Sequence, residues 1–565
     1  MNRRHFLALS LGLASGAIAS LSGCGGGGGS KTSGATVAPS ERLAILDQAT
    51  SKLASLNVVD PETACQQMAD FLKSLPEIEA AGVSKDRCAW GRFTDGRLLI
   101  VVNNRKVTDG RATRPRTPPT RAAVYLPEGE SVRIIDNLGT AFEHVSDSLA
   151  EMLPRHGYGL VGDKVLKAGI DDLKQVKGDG IFYIESHGGL GSLRTGKDTY
   201  GIYSGTLCTA AAEATYAADL DAGHLSYMVA EVDEDPVTAQ RSIEPRYGIM
   251  PSFVEKYMSF GPASVVYVSA CTSDNAEFKA ACLRAGAGLY IGWTAPTLSF
   301  VAYSAASFLF DRLLGENRVA PTDKIDAYTL LFAGVQPSLA KTINPTTKTF
   351  FDTSPDNGSK LTFTASIDSS YPQGIVPSIV SSTYDSDSAT LTLDGYFGSE
   401  EGAVERDPAG AAAGQTIPHS TWSEKKITLS VPDGARTMRV RVGSRAGNIK
   451  TVGGTFTISG PGGGTFRVRD AISVYVNERL VYADPAGATE GERNPVSFYA
   501  PMLNSKLRLT LRTAGTYGGT GEIYLKVPAE SIYASPDGSL QRIRPKVLDL
   551  TTNNGQIDLG VVALL

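Results

Sequence analysis

The chain has 565 residues, a length that predicts about three or four domains. With 42% hydrophobic and 20% charged residues, its composition is that of a soluble globular protein. The formal net charge is −5 and the sequence carries no basic stripe, so we expect no nucleic-acid partner.

The N-terminus has the pattern of an export signal. The basic pair Arg3-Arg4 precedes an apolar stretch, Phe6–Leu21, which ends in Ser22-Gly23-Cys24. Small residues before a cysteine resemble a bacterial lipoprotein signal, here residues 1–24, with Cys24 as the lipidated residue that anchors the chain in a membrane. A plain signal peptide is the alternative, and the paired arginines also resemble a twin-arginine signal.

The glycine-rich segment 25–39 predicts a flexible tether behind that anchor. Gly25 is not the aspartate that would retain a lipoprotein in the inner membrane. We therefore expect a lipid-anchored protein of the bacterial cell envelope, at the outer membrane or cell surface rather than the inner membrane.

Export implies an oxidising compartment, which makes the remaining five cysteines informative. They are Cys65, Cys88, Cys208, Cys271 and Cys282. An odd number is consistent with one free, reactive thiol. Disulfides Cys65–Cys88 and Cys208–Cys282 are candidates, and five reduced, buried thiols are the alternative.

Residues 40–104 predict a small α+β module in front of the main domain. Helical spacing over 40–75 indicates two amphipathic helices, and two apolar runs around Thr94-Asp95-Gly96 predict a hairpin. The basic, proline-rich stretch 105–128 predicts an exposed linker. It is a spacer or, alternatively, an activation segment cut after Arg116 or Arg121.

Apolar runs then alternate with helical patterns over 129–345, which predicts a parallel α/β sheet. The first run, Ser131–Asp136, ends in Asp136-Asn137. These two side chains can line a cleft at the strand ends, but we favour an Asx cap of the strand–helix turn.

Two later strands end in residues with reactive side chains. One is Ser264–Asn275, in which the run Val265–Val268 leads to Ser269-Ala270-Cys271. The other is Ile181–Gly189, which ends in His187-Gly188-Gly189. Because catalytic groups in open α/β sheets collect at the carboxyl ends of strands, the pair predicts a nucleophile with its base and backbone oxyanion donors.

This pair of motifs, in this order, resembles the caspase-like (clan CD) cysteine peptidases, most closely the CHAT and gingipain types. The helix-then-strand pattern of Ala281–Pro296 adds to the resemblance, which covers roughly residues 130–320. It implies a parallel-rich sheet with helices on both faces, Cys271 as nucleophile and His187 as general acid/base. The oxyanion donors would be the backbone N–H groups of Gly188 and Cys271, with no metal or cofactor and a protein or peptide as substrate.

Three further residues are candidates for orienting the imidazole or lining the substrate pocket. Glu185 shares the strand face of His187. Ser269 stands two residues before Cys271, where many members of the family carry an acidic or amide residue, and Asp274 follows the nucleophile. The acidic run Glu231–Asp235 is predicted to be a solvated loop or, alternatively, a face that selects a basic substrate residue.

Four other histidines are expected to be structural or surface residues, because none follows a comparable apolar strand. They are His144, His156, His224 and His419.

From about residue 355 the sequence changes to short alternating strands with Gly, Ser and Asp turns, which predicts β-sandwiches. Residues 370–452 resemble an IPT/TIG immunoglobulin-like domain through Leu391–Gly398 and Trp422–Pro432.

The pattern of residues 453–565 predicts a second, jelly-roll-like sandwich, which binds a carbohydrate or protein ligand or serves as a spacer.

For the whole protein we expect a lipid-anchored cysteine endopeptidase that hydrolyses peptide bonds through a Cys–His dyad. The alternative is a catalytically dead caspase-like surface protein that acts as an adhesin or ligand-binding module through its β-domains.

Overall fold

The computed structural model describes residues 36–319 apart from 57–58, 104–124, 140–141, 163–164 and 235–240, then 359–366 and 374–564 with gaps. Those later gaps are 386–387, 389, 407, 410–411, 431–436, 452 and several short stretches between 460 and 555. The predicted signal, Cys24 and the candidate cleavage sites lie outside the described residues. Among the helices that are described, none is long and apolar enough to cross a membrane.

The first part of the chain mixes helices and strands. Its helices are α1 Pro39–Ser55, α2 Pro61–Ser74, α3 Ser146–Arg155, α4 Ile170–Lys174, α5 Ala210–Thr215, α6 Ala217–Asp221, α7 Pro251–Tyr257, α8 Ala276–Arg284 and α9 Ser299–Leu314. Its strands are β1 Ile78–Val83, β2 Ala89–Phe93, β3 Leu98–Val101, β4 Ser131–Asp136, β5 Gly159–Leu160, β6 Val165–Leu166, β7 Lys177–Glu185, β8 Gly188–Ser192, β9 Asp198–Leu207, β10 Leu225–Glu234, β11 Arg241–Ile249, β12 Ser259–Ser269, β13 Leu289–Trp293 and β14 Leu361–Ala365.

One sheet forms the centre of the α/β region, with the order β14-β13-β12-β7-β4-β5 and β6 also paired with β4. All its pairs are parallel except β13–β14. The apolar runs that predicted buried strands therefore do form a parallel sheet. Its carboxyl edge collects the residues that follow β4, β7 and β12.

Both faces of this sheet are covered, because successive side chains of a strand point to opposite sides. On β7, Ile181 and Tyr183 join the apolar cluster that contains residues of α3 and α9. Phe182 and Ile184 join the cluster on the other face, with residues of α7, α8 and a second sheet. A mixed α/β region with a parallel-containing sheet is thus confirmed.

The second sheet has the order β1-β2-β3-β10-β11-β9-β8 and joins two parts of the sequence. Strand β3 pairs in parallel with β10, so that Leu99 and Tyr227 are register partners. Strands β1–β3 of the predicted separate module, residues 40–104, therefore share one sheet with β8–β11. Local patterning showed the hairpin β2–β3 correctly but contains no signal for its distant partner.

The acidic run was assigned to a solvated loop, and here the prediction is wrong for Glu231–Glu234. These residues belong to β10, where Glu231 pairs with Ile243 and Asp233 with Ser242 of β11. Pairing with β11 outweighs the low strand propensity of acidic residues. After β11 ends at Ile249, the short helix α7 Pro251–Tyr257 leads into β12.

The two candidate disulfides are absent, because all five described cysteines are free thiols. The Cys65 thiol donates to the carbonyl oxygen of Arg87 at 2.6 Å. The Cys88 thiol contacts Asp86 Oδ2 at 3.7 Å, and Cys282 is buried in the apolar core.

The C-terminal part is β-rich. Its first strands are β15 Ser378–Asp385, β16 Thr390–Tyr396, β17 Ala403–Arg406, β18 Gln415–Ile417, β19 His419–Trp422, β20 Lys426–Ser430, β21 Thr437–Val442, β22 Arg445–Ala446 and β23 Lys450–Thr451. The sheets β15-β16-β20-β19 and β18-β17-β21-β22, with β23 on β21, share one apolar core, in which Leu391 and Leu429 of one sheet meet Val404 and Val440 of the other. Residues 378–451 thus form a sandwich.

The remaining strands are β24 Gly453–Ser459, β25 Phe466–Val468, β26 Ile472–Val476, β27 Arg479–Ala483, β28 Gly491–Arg493, β29 Val496–Pro501, β30 Leu507–Thr513, β31 Ile523–Lys526, β32 Ser531–Ala534, β33 Leu540–Arg542, β34 Lys546–Leu548 and β35 Gln556–Leu564. They pair as β29-β24-β31-β34, β25-β28 and β27-β26-β30-β35-β32-β33. The described secondary-structure elements from residue 453 onward are therefore all strands, as the alternating pattern predicted.

Candidate active site

Strand register brings the two predicted catalytic residues to the same edge of the central sheet. In the parallel pair β7–β12, Glu185 is the register partner of Ser269, and the Ser186 N–H donates to the Ser269 carbonyl at 3.1 Å. His187 and Cys271 each follow that registered pair by two residues. Because neighbouring strands are about 4.8 Å apart, the His-Gly and Ala-Cys motifs end side by side.

Cys271 lies in the turn between β12 and α8 and is partly exposed. Its Sγ contacts the backbone of Thr297, with Thr297 N at 3.4 Å and Thr297 O at 3.7 Å. Burial of the sulfur, with a smaller contribution from the Asp86 charge, raises the pKa of this thiol, against the opposing hydrogen bond from Thr297. The free protein thus holds Cys271 as a thiol rather than a thiolate.

The backbone after Cys271 is strained. Thr272 has a φ of 57°, in the left-handed region that β-branched residues rarely adopt. Its N–H donates to the Ala295 carbonyl at 3.2 Å, and the Tyr200 hydroxyl donates to the Cys271 carbonyl at 2.6 Å. Such strain concentrates at functional sites, where the surrounding contacts hold a side chain in one position.

The His187 ring is 4% exposed and fixed by aromatic neighbours. Phe142 and Tyr203 meet it edge-on, with ring centroids at 5.0 Å and 5.6 Å. Its Nε2 has no hydrogen-bond partner among the described residues, so the Nδ1–H is the group that bonds the backbone of Glu231. Burial lowers the pKa of His187 to about 4, so the imidazole is neutral at physiological pH with one nitrogen unbonded.

The backbone N–H of Gly188 does not donate to β9, the strand that pairs with β8. Tyr203 N donates to the His187 carbonyl at 3.0 Å, which makes Gly188–Ile202 a non-hydrogen-bonded pair of the β8–β9 ladder. The Gly188 N–H therefore points away from β9, to the side on which Leu190 N donates to Asp86 Oδ2 at 2.9 Å. A Cβ at Gly188 would lie 1.8 Å from the Tyr200 hydroxyl oxygen and 2.9 Å from the Cys271 carbonyl oxygen.

The three orienting or pocket candidates bond groups other than the His187 ring in the described structure. Glu185 Oε1 accepts from the Tyr183 hydroxyl at 2.7 Å and from Val145 N at 3.1 Å. Ser269 is buried below the strand ends, next to the Tyr183 hydroxyl. Asp274 forms an ion pair with Lys279 of α8.

Glu185 belongs instead to a second polar cluster at the same edge. Its carboxylate, that of Asp136 and the imidazole of His144 each offer one ligand atom, all within 4.8 Å of one another. Asp136 also makes the predicted Asx turn, since its Oδ1 accepts from Leu138 N at 3.2 Å. Burial raises the pKa of Glu185 to about 7, with the Tyr183 hydrogen bond opposing the shift and the Asp136 charge adding to it.

Sequence reasoning missed several residues around Cys271 and His187. Asp86 follows no apolar run, yet the turn between β1 and β2 brings its carboxylate to β8. Tyr200 looks like an ordinary strand residue, and His144 follows no strand end. No pattern in the sequence connects these residues to Cys271, because their positions depend on the pairing of distant strands.

A comparison of the chain with models of known protein families finds no match, and no curated protein matches it either.

Proposed function

We propose that this protein is a cysteine endopeptidase with a caspase-like arrangement of Cys271 and His187. The observation that carries the proposal is the β7–β12 register, in which each of these residues follows a registered pair by two positions. The unbonded Nε2 of His187 and the outward N–H of Gly188 supply the two further functions that acyl transfer needs, a proton acceptor and an oxyanion donor.

The reaction proceeds in two halves. Cys271 Sγ attacks the scissile carbonyl carbon while His187 Nε2 takes the thiol proton, and the backbone N–H groups of Gly188 and Cys271 bind the oxyanion. The imidazolium then gives this proton to the leaving amine, and a thioester remains. Water attacks the thioester with His187 again as base, which releases the acid product and restores the thiol.

The electrostatics of the free site favour general-base activation over a preformed thiolate–imidazolium pair. Burial raises the pKa of Cys271 and lowers that of His187, so both groups are neutral before substrate binds. The proton therefore moves to His187 only when the substrate carbonyl and its oxyanion donors are in place.

The N-terminal signal and the C-terminal β-domains are consistent with an enzyme that is held at the bacterial cell envelope. In this proposal Cys24 is lipidated and anchors the protein in the bacterial cell envelope. The sandwich at 370–452 is an IPT/TIG-like domain, and the jelly-roll-like 453–565 binds a carbohydrate or protein ligand. The lipoprotein signal and the strand patterns of the sequence support this arrangement.

The test uses protein that begins at residue 31, treated with peptidyl acyloxymethyl ketones that carry a basic, acidic, amide or aliphatic residue next to the electrophile. We expect one of these probes to form a covalent adduct on Cys271, located by peptide mass spectrometry, and the matching fluorogenic peptide to be hydrolysed. Cys208→Ala is the matched control, since Cys208 is also a partly exposed thiol.

A chain that forms no adduct on Cys271 and hydrolyses no peptide, before and after trypsin cleavage within 105–121, would overturn the proposal. The trypsin step separates an inactive precursor from a dead enzyme. That outcome would favour the catalytically dead surface protein whose β-domains bind a ligand.

A further inference from the structure

The cluster of Asp136, His144 and Glu185 has the composition of a metal site and lies outside the proposed catalytic dyad. Asp136 ends β4, Glu185 ends β7, and the two are register partners in a parallel pair. His144 Nδ1 lies 2.9 Å from Asp136 Oδ2. One imidazole nitrogen and two carboxylates are thus held within 4.8 Å of one another.

Both carboxylates are held by neutral hydrogen-bond donors. The Ser146 hydroxyl donates to Asp136 Oδ2 at 2.7 Å, and the Tyr183 hydroxyl donates to Glu185 Oε1. Such contacts fix the orientation of a carboxylate without neutralising its charge, as the partners of metal ligands do.

Glu185 has a buried carboxylate oxygen that lacks a hydrogen-bond donor in the described part of the chain. The residue is 2% exposed, and its Oε2 has no hydrogen-bond partner among the described residues. No lysine or arginine among the described residues forms an ion pair with Glu185. A buried carboxylate oxygen without a donor is costly, and a bound cation would satisfy it.

We propose that Asp136, His144 and Glu185 bind one divalent cation of the first transition row, with zinc as the probe. Three protein ligands of nitrogen and oxygen type match zinc sites that keep a fourth position open. Calcium and magnesium fit less well, because they take six or more oxygen ligands.

The proposed cation would lie beside His187 and not on the nucleophile. Glu185 precedes His187 by two residues, and Phe142, which packs against the His187 ring at 5.0 Å, precedes His144 by two. Cation binding would therefore attach the segment that carries Phe142 to the strand that carries His187. The proposal does not depend on peptidase activity, since it concerns binding alone.

The experiment measures zinc bound to the full chain, solubilised in detergent and carrying Cys271→Ala, by equilibrium dialysis and metal analysis. Glu185→Gln and His144→Gln are each made in that background. His419→Gln is the matched control, because His419 Nε2 pairs with Glu401 Oε1 at 2.7 Å on an exposed surface, and among the described residues no third ligand joins that pair. Cobalt(II) replaces zinc in a parallel sample, so that its absorption spectrum reports the ligand type.

We expect one equivalent of zinc in the Cys271→Ala protein and in the His419→Gln control. Affinity should fall by at least about a hundredfold in Glu185→Gln and in His144→Gln, and the cobalt spectrum should lack thiolate charge-transfer bands. Because His144 is partly exposed, its variant is expected to keep the fold even where Glu185→Gln does not, as far-UV circular dichroism would show.

Three results would overturn the proposal. They are the absence of stoichiometric zinc, unchanged affinity in the folded His144→Gln variant, and a cobalt spectrum with thiolate bands, which would place the metal on the cysteines. The cluster would then be a proton-sharing network without a metal. Absence of peptidase activity in the parent chain with Cys271 intact, together with intact zinc binding, would in contrast refute the proposed function alone.

Discussion

Two buried glutamates, one in each part of the molecule, have opposite surroundings. Glu185 at the edge of the central sheet and Glu405 in the sandwich are both 2% exposed. Arg439 Nε donates to Glu405 Oε2 at 2.8 Å, and Arg441 Nε donates to its Oε1 at 2.7 Å. Glu185 has only neutral donors on Oε1 and none on Oε2 within the described structure.

The pKa values follow these surroundings. Burial alone would raise the pKa of Glu405, but the hydrogen bonds from Arg441 and Arg439 outweigh it and lower that pKa. At Glu185 burial is the dominant effect and the pKa rises to about 7. A buried charge pair destabilises the fold when one partner is removed, whereas a buried carboxyl group with a strongly raised pKa marks a candidate functional site.

The comparison predicts that substitutions at the strand-end edge change activity, and that substitutions in the sandwich change stability. The largest effect is expected for Cys271→Ala, which removes the proposed nucleophile. Hydrolysis of the best peptide should fall by at least about a thousandfold. The urea midpoint should stay within error of the parent, because the hydrogen bonds of the thiol in the described structure are two weak ones to the Thr297 backbone. Cys208→Ala should retain activity.

The next effect is expected for His187→Gln, which removes the proposed proton acceptor. Turnover should fall by about a hundredfold to ten-thousandfold, mostly in kcat, because proton transfer occurs only in the transition state. Steady-state kinetics with the same peptide measure the split between kcat and KM. A KM increase with an unchanged kcat would assign His187 to substrate binding, and His224→Gln is the control for loss of a histidine elsewhere.

Glu405→Gln should lower the free energy of unfolding of the sandwich by about 3 kcal/mol, because it leaves the buried guanidinium of Arg439 without its anion. Urea unfolding followed by the fluorescence of Trp422 measures this change. Glu401→Gln is the matched control, since its side chain is 70% exposed and should matter by less than about 0.5 kcal/mol. Equal effects of the two variants would contradict the distinction, as would loss of peptidase activity in folded Glu405→Gln.

The smallest effect concerns the pH dependence of the sandwich. The folded pKa of Glu405 lies below its unfolded value, so its contribution is complete above about pH 4.5 and is lost as the pH falls through the folded pKa. The difference in urea midpoint between the parent and Glu405→Gln should therefore be constant from pH 7 to 5.5 and should narrow below pH 4.5. A difference in urea midpoint that widens below pH 4.5 would contradict a lowered pKa of Glu405.

Individual elements show how far the sequence predicts this fold. The strand Ser131–Asp136 and the hairpin around Gly96 occur as predicted, because a buried run and a turn glycine are local signals. The strand over Glu231–Glu234 was missed, since its pairing with β11 outweighs local propensity. The candidate disulfides failed because cysteine spacing carries no information about the distances between thiols.

The sequence by itself determined where the central strands run and that His187 and Cys271 follow two of them. Those properties depend on the periodicity of neighbouring residues, which a single chain shows directly. Only the tertiary structure decided that Asp136, His144 and Glu185 form one cluster, that Asp86 reaches β8, and that residues 40–104 complete a sheet begun elsewhere. Each of these depends on the pairing of strands far apart in the chain, and that pairing is set by burial and backbone hydrogen bonding over the whole domain.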